Sequence, residues 1–362
     1  MESITLAGRA AAFLLGLALV LITFRSVIIT FVLPRGARSS ITATVFILLR
    51  FVFDAYTGLL RSYKAKDAAM ALYAPIGLLL LPLVWLVTIF AGYALMYWSL
   101  GVSPVFETLV LSGSSMLTLG FDAPKTLLVT FIAFSEAAIG LIVVALFISY
   151  LPTMYSAFSR RERDVTMLEV RAGTPPSSQT LLWRYYRIQG LERLGKLWET
   201  WEVWFADLEE THTSLAALSY FRSPQPDHSW ITAAGTVLDS AALTLAAVDI
   251  PYDPQAALTI RAGYLALQRI CDFFSIPYNA LPKPDDPISI SRMEFDEVYD
   301  FLAANGAPMK PDREQAWRDY RGWRVNYDVP LLSLALLLMA PPAAWVSDRY
   351  PAWRRRTLFR LR

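Results

Sequence analysis

Long apolar runs, broken by clusters of charge, divide the chain into two unlike parts. Three runs of membrane length fall in the first part, at residues 10–33, 70–100 and 126–155. Each meets the roughly 20 apolar residues that a spanning helix needs. The first holds Arg25, is too long for the apolar centre of a signal peptide, and is followed by no small-residue cleavage pattern. It therefore reads as a retained membrane helix. In the second, Trp85, Tyr93, Tyr97 and Trp98 suit the membrane–water interfaces. The third leads into Arg160, Arg161 and Arg163. A further apolar stretch, 41–60, carries Arg50 and Asp54 at its centre, and each costs about 2.5–3.5 kcal/mol at mid-bilayer. We read segment 35–68 as amphipathic, in the membrane plane or facing the cytoplasm, in preference to a span.

Beyond residue 157 the pattern becomes charged, Trp-rich and helical. Thr174-Pro175-Pro176-Ser177-Ser178 reads as a linker closing the third long helix. Leu191, Leu194, Trp198, Trp201, Phe205 and Leu208 recur at spacings of three and four, an apolar stripe for helix packing. Asp253-Pro254 opens an Ala/Leu-rich helix to about Phe274, and Ser291-Arg292-Met293-Glu294 fits a capping box. Alternating strand patterns are few, so the expected class is all-α. The last apolar run, 329–346, contains Pro341-Pro342 and is flanked by Arg321 and Arg324 before it and Arg349, Arg354, Arg355 and Arg356 after it. Basic flanks on both sides do not suit a clean span. The run reads as a helix at the membrane surface or half inserted, with its arginines on anionic headgroups. The expected organisation is thus a membrane helix (1–34), an interfacial segment (35–68), a membrane core (69–157), a helical cytosolic domain (158–328) and a membrane-associated tail (329–362).

Composition narrows the function. Of 362 residues 55% are hydrophobic, yet 18% are charged, which agrees with a membrane part joined to an aqueous part. A net charge of +2 without a basic stripe gives no case for nucleic acid. One cysteine, Cys271, excludes an internal disulfide and a Cys-based zinc cluster, and two histidines exclude a His-rich metal site. No Walker loop, dinucleotide fingerprint, zincin motif or Gly-x-Ser-x-Gly elbow is present. His212, Arg222 and Ser223 collect at the end of an apolar helix. They read either as a ligand or anion site or, because His212 continues the stripe after Leu208, as a core histidine and its neighbours. No enzyme is inferred.

Lys and Arg set the orientation. Arg35, Arg38, Arg50, Arg61, Lys64 and Lys66 precede the second run, and Arg160, Arg161 and Arg163 follow the third. The positive-inside rule places both groups in the cytoplasm. The second run then goes outward, the third inward, and the N-terminus lies outside. Between them, 101–125 is too short to cross and return as two full helices. It fits a short helix, started by Ser103-Pro104 and running from Val105 to about Leu117, followed by an extended loop. At membrane depth such backbone is tolerated only when it is buried in protein or lines a water-filled path.

That loop holds Ser112-Gly113-Ser114-Ser115-Met116-Leu117-Thr118-Leu119-Gly120-Phe121-Asp122. The stretch resembles the pore helix and selectivity filter of the potassium-channel superfamily, in its bacterial two-transmembrane, one-pore-loop form. The resemblance covers about residues 69–163. Thr118, Leu119, Gly120 and Phe121 match the Thr-aliphatic-Gly-aromatic core of the filter, and Ser112, Ser114 and Ser115 fall on the pore helix and its approach. Leu117 stands where a threonine is usual, and the second filter glycine is absent, so Asp122 follows Phe121 directly. The resemblance implies a homotetramer in the plasma (inner) membrane, with potassium or other monovalent cations on the carbonyls of 118–121 and the inner helix carrying the gate. Membrane lipids are the other partners, and no cofactor is implied. Gly140 then reads as a gating hinge or as a close-packing position against the pore helix. Glu136 reads as an intramembrane functional group or as a brace to a hydroxyl such as Ser112 or Ser114. Phe147 reads as part of a lower gate or as lipid- or core-facing. The missing glycine favours one other reading, a non-conducting receptor or scaffold with a channel fold; a second is an enzyme in the cytosolic domain with the membrane half as an anchor.

Overall fold

The computed structural model describes residues 2–33 and 39–351. The basic pair Arg35 and Arg38, and Arg354, Arg355 and Arg356, lie outside the described residues. Among the described residues the chain is helical and without strands, apart from a single antiparallel bridge between Val248 and Met309. The helices are α1 (Glu2–Phe31), α2 (Ser40–Leu59), α3 (Tyr63–Ala71), α4 (Tyr73–Ser99), α5 (Val105–Met116), α6 (Leu127–Ala172), α7 (Ser178–Arg187), α8 (Leu194–Ser214), α9 (Trp230–Ala247), α10 (Pro254–Phe274), α11 (Arg292–Ala304), α12 (Arg313–Arg324) and α13 (Asp328–Leu338). They form two compact units: Met1–Leu60 with Ala69–Ser156, and Arg61–Ala68 with Ala157–Arg362.

Five helical stretches are long and apolar enough to cross a membrane: Leu6–Phe31, Ser40–Leu59, Tyr63–Ser99, Leu127–Ala172 and Trp230–Ala247. Four of them begin in or build the first unit, and by this measure the chain is a membrane protein. The fifth, α9, is buried at every one of its positions within the second unit. A helix apolar on all sides is as well suited to a protein core as to lipid, and here the core surrounds it.

In the first unit α1 and α4 run antiparallel and touch backbone to backbone. A Cβ on Gly16 would lie 2.4 Å from the Gly92 carbonyl oxygen, and one on Gly92 would lie 2.8 Å from the Gly16 carbonyl oxygen. Small residues permit this approach, which is how membrane helices gain packing where lipid supplies no hydrophobic drive. Lower down, the Trp85 indole donates to Ser26 Oγ at 3.0 Å, Ser26 and Ser39 share a hydroxyl bond, and Phe31 packs edge-on against Trp85. Helix α2 therefore begins beside the middle of α4. It passes Gly77 at Phe46 and reaches Tyr73, the first residue of α4, at Phe53. Within α2 Arg50 pairs with Asp54 at 2.8 Å, so its two central charges partly offset each other. Its outer face is an exposed apolar stripe of Ile47, Leu48, Phe51, Val52, Tyr56 and Leu59.

The second unit is built on the α8 stripe. Leu194, Trp198, Trp201, Phe205 and Leu208 are all buried and share one cluster with α9, α10 and α13. Asp253 caps α10 by accepting from Gln255 N at 2.9 Å, and Pro254 is its first residue. The Ser291–Glu294 capping box opens α11. The run 329–346 corrects the sequence reading. It is not laid on a membrane: α13 is 11 residues long, with Leu331, Leu332 and Leu334 buried, it ends in a left-handed cap at Met339, and Trp345 and Val346 join the same core beyond Pro341-Pro342. The apolar residues fill the core of the unit, and nothing in their composition distinguishes that use from burial in lipid.

Arg349 holds this returning segment, donating to Glu294 Oε1 at 2.7 Å and to the Ser289 carbonyl at 2.8 Å. Partial burial alone raises the Glu294 pKa. The Arg349 guanidinium and the Ser291 amide and hydroxyl outweigh it and hold the carboxyl at about 2, against an ordinary 4.5. A carboxyl with a depressed folded-state pKa contributes stability that is present above its unfolded value and lost as pH falls through the folded one. The second unit should therefore lose stability between about pH 4.5 and pH 2. In Glu294→Gln, equilibrium denaturation across that interval should show a shallower acid slope.

Candidate pore loop

Helix α5 starts at Val105, with Pro104 at the N-cap and no capping side chain. The cap expected from Ser103 is not made, since proline takes the position that a hydroxyl would need. From there α5 runs antiparallel to α4. Ser112 Oγ donates to Glu136 Oε1 at 2.5 Å and lies 3.2 Å from the Phe90 carbonyl, an alternative acceptor. Tyr97 donates to Glu136 Oε2 at 2.7 Å. Glu136 is fully buried. One α6 carboxyl thus ties α4 and α5 together, and the hydroxyl it uses on α5 is that of Ser112. Replacement by leucine would strand the Tyr97 hydroxyl, at about 1–3 kcal/mol, and leave Ser112 only the Phe90 carbonyl. We expect Glu136→Leu to melt well below the parent in detergent, and Glu136→Gln, which keeps an acceptor, to lose less.

Gly140 lies one turn further along α6, under the last residue of α5. A Cβ there would sit 2.7 Å from the Met116 carbonyl oxygen and 3.2 Å from Met116 Cγ. The glycine is a close-packing position. Phe147 is on the same face of α6 and packs against Phe31 of α1, ring centroids 6.3 Å apart. The ring is half-buried beside α1. The open face of α6 instead carries Phe134, Leu141, Val144 and Ile148. Helix α6 also contains Pro152, which removes one helical donor and is a common cause of kinks. The sequence reading passed over it.

After Met116 the chain has ten residues, 117–126, before α6 begins. Met116 sits against Gly140, thirteen residues inside α6, or about 20 Å from its start at 1.5 Å per residue. The loop climbs that distance. It begins as a helix C-cap: Leu119 N donates to Ser114 O at 2.8 Å and Thr118 N to Ser115 O at 3.1 Å. This is the Schellman pattern, with Thr118 at the left-handed position usually held by glycine. Thr118 has φ +53° and Gly120 has φ +71°. For a β-branched residue such a φ is an outlier. Strain of this kind persists where surrounding structure imposes it, often at functional sites. The expectation of a filter extended from Thr118 onward is therefore corrected at its first residue, which closes α5. Ser114 is buried and its Oγ accepts from Asp122 N at 3.2 Å, tying the far end of the loop back to α5. Ser115 is half-buried. Thr118, Leu119, Gly120 and Phe121 are exposed in the single chain, and Asp122 is half-buried.

In the second unit, His212, Arg222 and Ser223 do not form one site. The Arg222 guanidinium is spent on Asp67 Oδ1 at 2.5 Å and on the carbonyls of Leu338 and Met339. His212 packs beside Arg161 and on the Trp230 ring. The sequence reading also missed a buried polar network. Arg324 donates to both Asp239 oxygens at 2.5 and 2.6 Å, to Asp328 Oδ1 at 2.8 Å and to the Trp345 carbonyl at 2.7 Å. Tyr320 and Tyr327 also donate to Asp239. Among the described residues no group of three or more His, Cys, Asp or Glu side chains is placed to hold a metal.

Comparison with protein-family models, with curated proteins and with solved structures finds no match to this chain. The functional reading rests on the geometry and the pore-loop sequence.

Proposed function

We propose that the protein is a cation channel of four copies, potassium-channel-like, in which each copy contributes α4, α5 and α6 as outer helix, pore helix and inner helix. One observation carries this reading. Helix α5 stops halfway along the apolar part of α6 and returns through ten residues to the end at which it began. At membrane depth, backbone of that kind must be covered by protein or line water. In one copy residues 118–121 are exposed, and one loop per chain needs several chains to surround an ion with carbonyls. The partial negative charge at the α5 C-terminus favours a cation nearby.

Leu117 and the absent second glycine weaken the case for strict potassium selectivity. A ring of Asp122 carboxylates at the outer mouth would draw monovalent cations generally. The basic residues at 61–66 and 160–163 put the second unit in the cytoplasm, where it biases the pore between states through differential contacts. In this reading α2 follows the cytoplasmic half of α4, from its middle to its first residue, and turns its apolar stripe to the lipid. Because Gly140 is locked against Met116, bending of the inner helix falls at Pro152. The Thr118 cap also favours a second reading, a channel-fold scaffold that does not conduct, because it diverts the first filter residue to ending a helix.

Recording from purified protein in planar bilayers, in potassium and then in sodium, tests the proposal. The expected result is a cation current with modest preference between the two ions. No cation current under any voltage, pH or lipid would overturn it. Inserting glycine between Phe121 and Asp122 should move permeation toward potassium. Unchanged ion ratios would mean that residues 118–122 are not the selective element.

A further inference from the structure

The second unit contains both stretches of chain that lead to and from the first. These are Arg61–Ala68, which precedes α4, and the part of α6 from Ala157 onward. One short segment, 218–223, holds both. Arg161 of α6 is almost fully buried and donates to the Leu218 carbonyl at 2.9 Å and to the Phe221 carbonyl at 2.7 Å. The next residue on that segment, Arg222, reaches the other way. It pairs with Asp67 Oδ1, lies 3.4 Å from the Tyr63 hydroxyl, and caps the carbonyl end of α13 at Leu338 and Met339.

The Arg161 grip depends on His212. Arg161 Nη1 points at His212 Nε2 at 3.1 Å. A guanidinium has no acceptor, so it donates and Nε2 must be the unprotonated acceptor. The ring proton then sits on Nδ1, beside Thr211 Oγ1 at 3.2 Å. An imidazolium would set N–H against N–H in a fully buried site. The groups around it leave little to absorb a second positive charge. On α6 they are Arg161 and Glu162, the latter already bound to Arg161 through Oε1. On α9 the neighbour is the Trp230 ring, and on the 3-10 turn Ala216–Tyr220 it is the Leu218 carbonyl. On α8 itself Glu209 and Glu210 are engaged with Arg269 and Ser214. His228, further along the chain, pairs with Glu169. Glu162 Oε2 is buried without a partner among the described residues, so it offers a displaced cation an acceptor.

We propose that 218–223 is an acid-sensitive clasp, which holds the chain on both its approaches to the membrane core and releases the α6 side when His212 is protonated. Burial, and then the charge of Arg161, keeps the His212 pKa well below the usual 6.5. An unfolded or released imidazole takes up a proton below that value while the clasped one does not, so the clasp loses stability progressively as pH falls below 6.5. The Arg222–Asp67 side has no histidine and stays closed. The clasp goes beyond conduction and does not depend on it.

Hydrogen exchange of the full chain in nanodiscs, compared at about pH 7.5 and about pH 5.5 on either side of the ordinary imidazole value and corrected for intrinsic rates, reads the clasp directly. In the parent protein, acid should strip protection from 157–172 while 61–68 and α10 remain protected. His212→Gln places an amide oxygen where Nε2 was and cannot take up a proton there, so 157–172 should remain protected at both pH values. Arg222→Leu should expose 61–68 at both pH values and leave the acid response of 157–172 in place. That variant keeps the test decisive if His212→Gln does not fold. Equal protection of 157–172 at both pH values in the parent, or an undiminished acid response in His212→Gln, would overturn the proposal.

Discussion

Asp239→Ala should cost the second unit about 3–5 kcal/mol, the penalty for breaking a buried ion pair from one side. The substitution leaves the Arg324 guanidinium, fully excluded from solvent, without its main counter-charge, and leaves the Tyr320 and Tyr327 hydroxyls without their acceptor. Asp328 cannot compensate. It already accepts from Ser289 N and Oγ as well as from Arg324 Nε. Denaturant unfolding of the purified full chain, followed by tryptophan fluorescence, reports the loss, because the Trp-rich α8 stripe shares the core with α9. A paired change, Asp239→Leu with Arg324→Met, removes both charges at similar volume and should recover much of what either single change loses. A double variant as unstable as the sum of the two singles would mean that the charges act independently, and that the network is not the tie between α9, α12, α13 and the segment at Trp345.

Gly140→Ala should disturb the pore loop rather than stiffen a hinge. Its Cβ would lie 2.7 Å from a backbone oxygen, which cannot rotate away as a side chain does. Either α5 or α6 must shift, at a cost of about 1–3 kcal/mol for overpacking. The shift falls one turn from the Ser112–Glu136 bond, so the brace of α5 should loosen with it. We expect a lower melting temperature in detergent together with a reduced or less selective current. A variant of parental stability whose only change is slower opening would instead assign Gly140 to the hinge. Pro152→Ala separates the two positions: it should alter gating and leave the α5 contacts intact.

Much of the fold was legible because its signals are local. The capping residues Asp253 and Ser291, the proline at the start of α10, the three-four stripe on α8 and the length of α5 all follow from neighbours within a turn or two. What escaped the sequence depends on partners far apart. Asp239 and Arg324 are 85 positions apart, and neither stands out in its own helix. Arg222 and Asp67 are 155 positions apart, so nothing near Asp67 announces that 61–68 belongs with the second unit. The run at 329–346 was misread because apolar composition reports burial without saying whether lipid or protein does the burying. For Phe147, periodicity gives only the face shared with Gly140, and the structure adds that Phe31 of α1 packs against it there. At the loop, the residues of the filter core stood out, whereas the left-handed Thr118 did not, since a helix C-cap normally announces itself with glycine.

The central claim is that copies of this chain bring residues 118–122 around a common axis. Single-particle imaging of the purified protein in lipid nanodiscs tests it most directly. The account predicts a four-fold assembly with an axial path lined by Thr118, Leu119, Gly120, Phe121 and Asp122, and with α5 of each copy pointing its C-terminus toward that path. A monomer, or an assembly in which these residues face lipid or lie away from the symmetry axis, would contradict it.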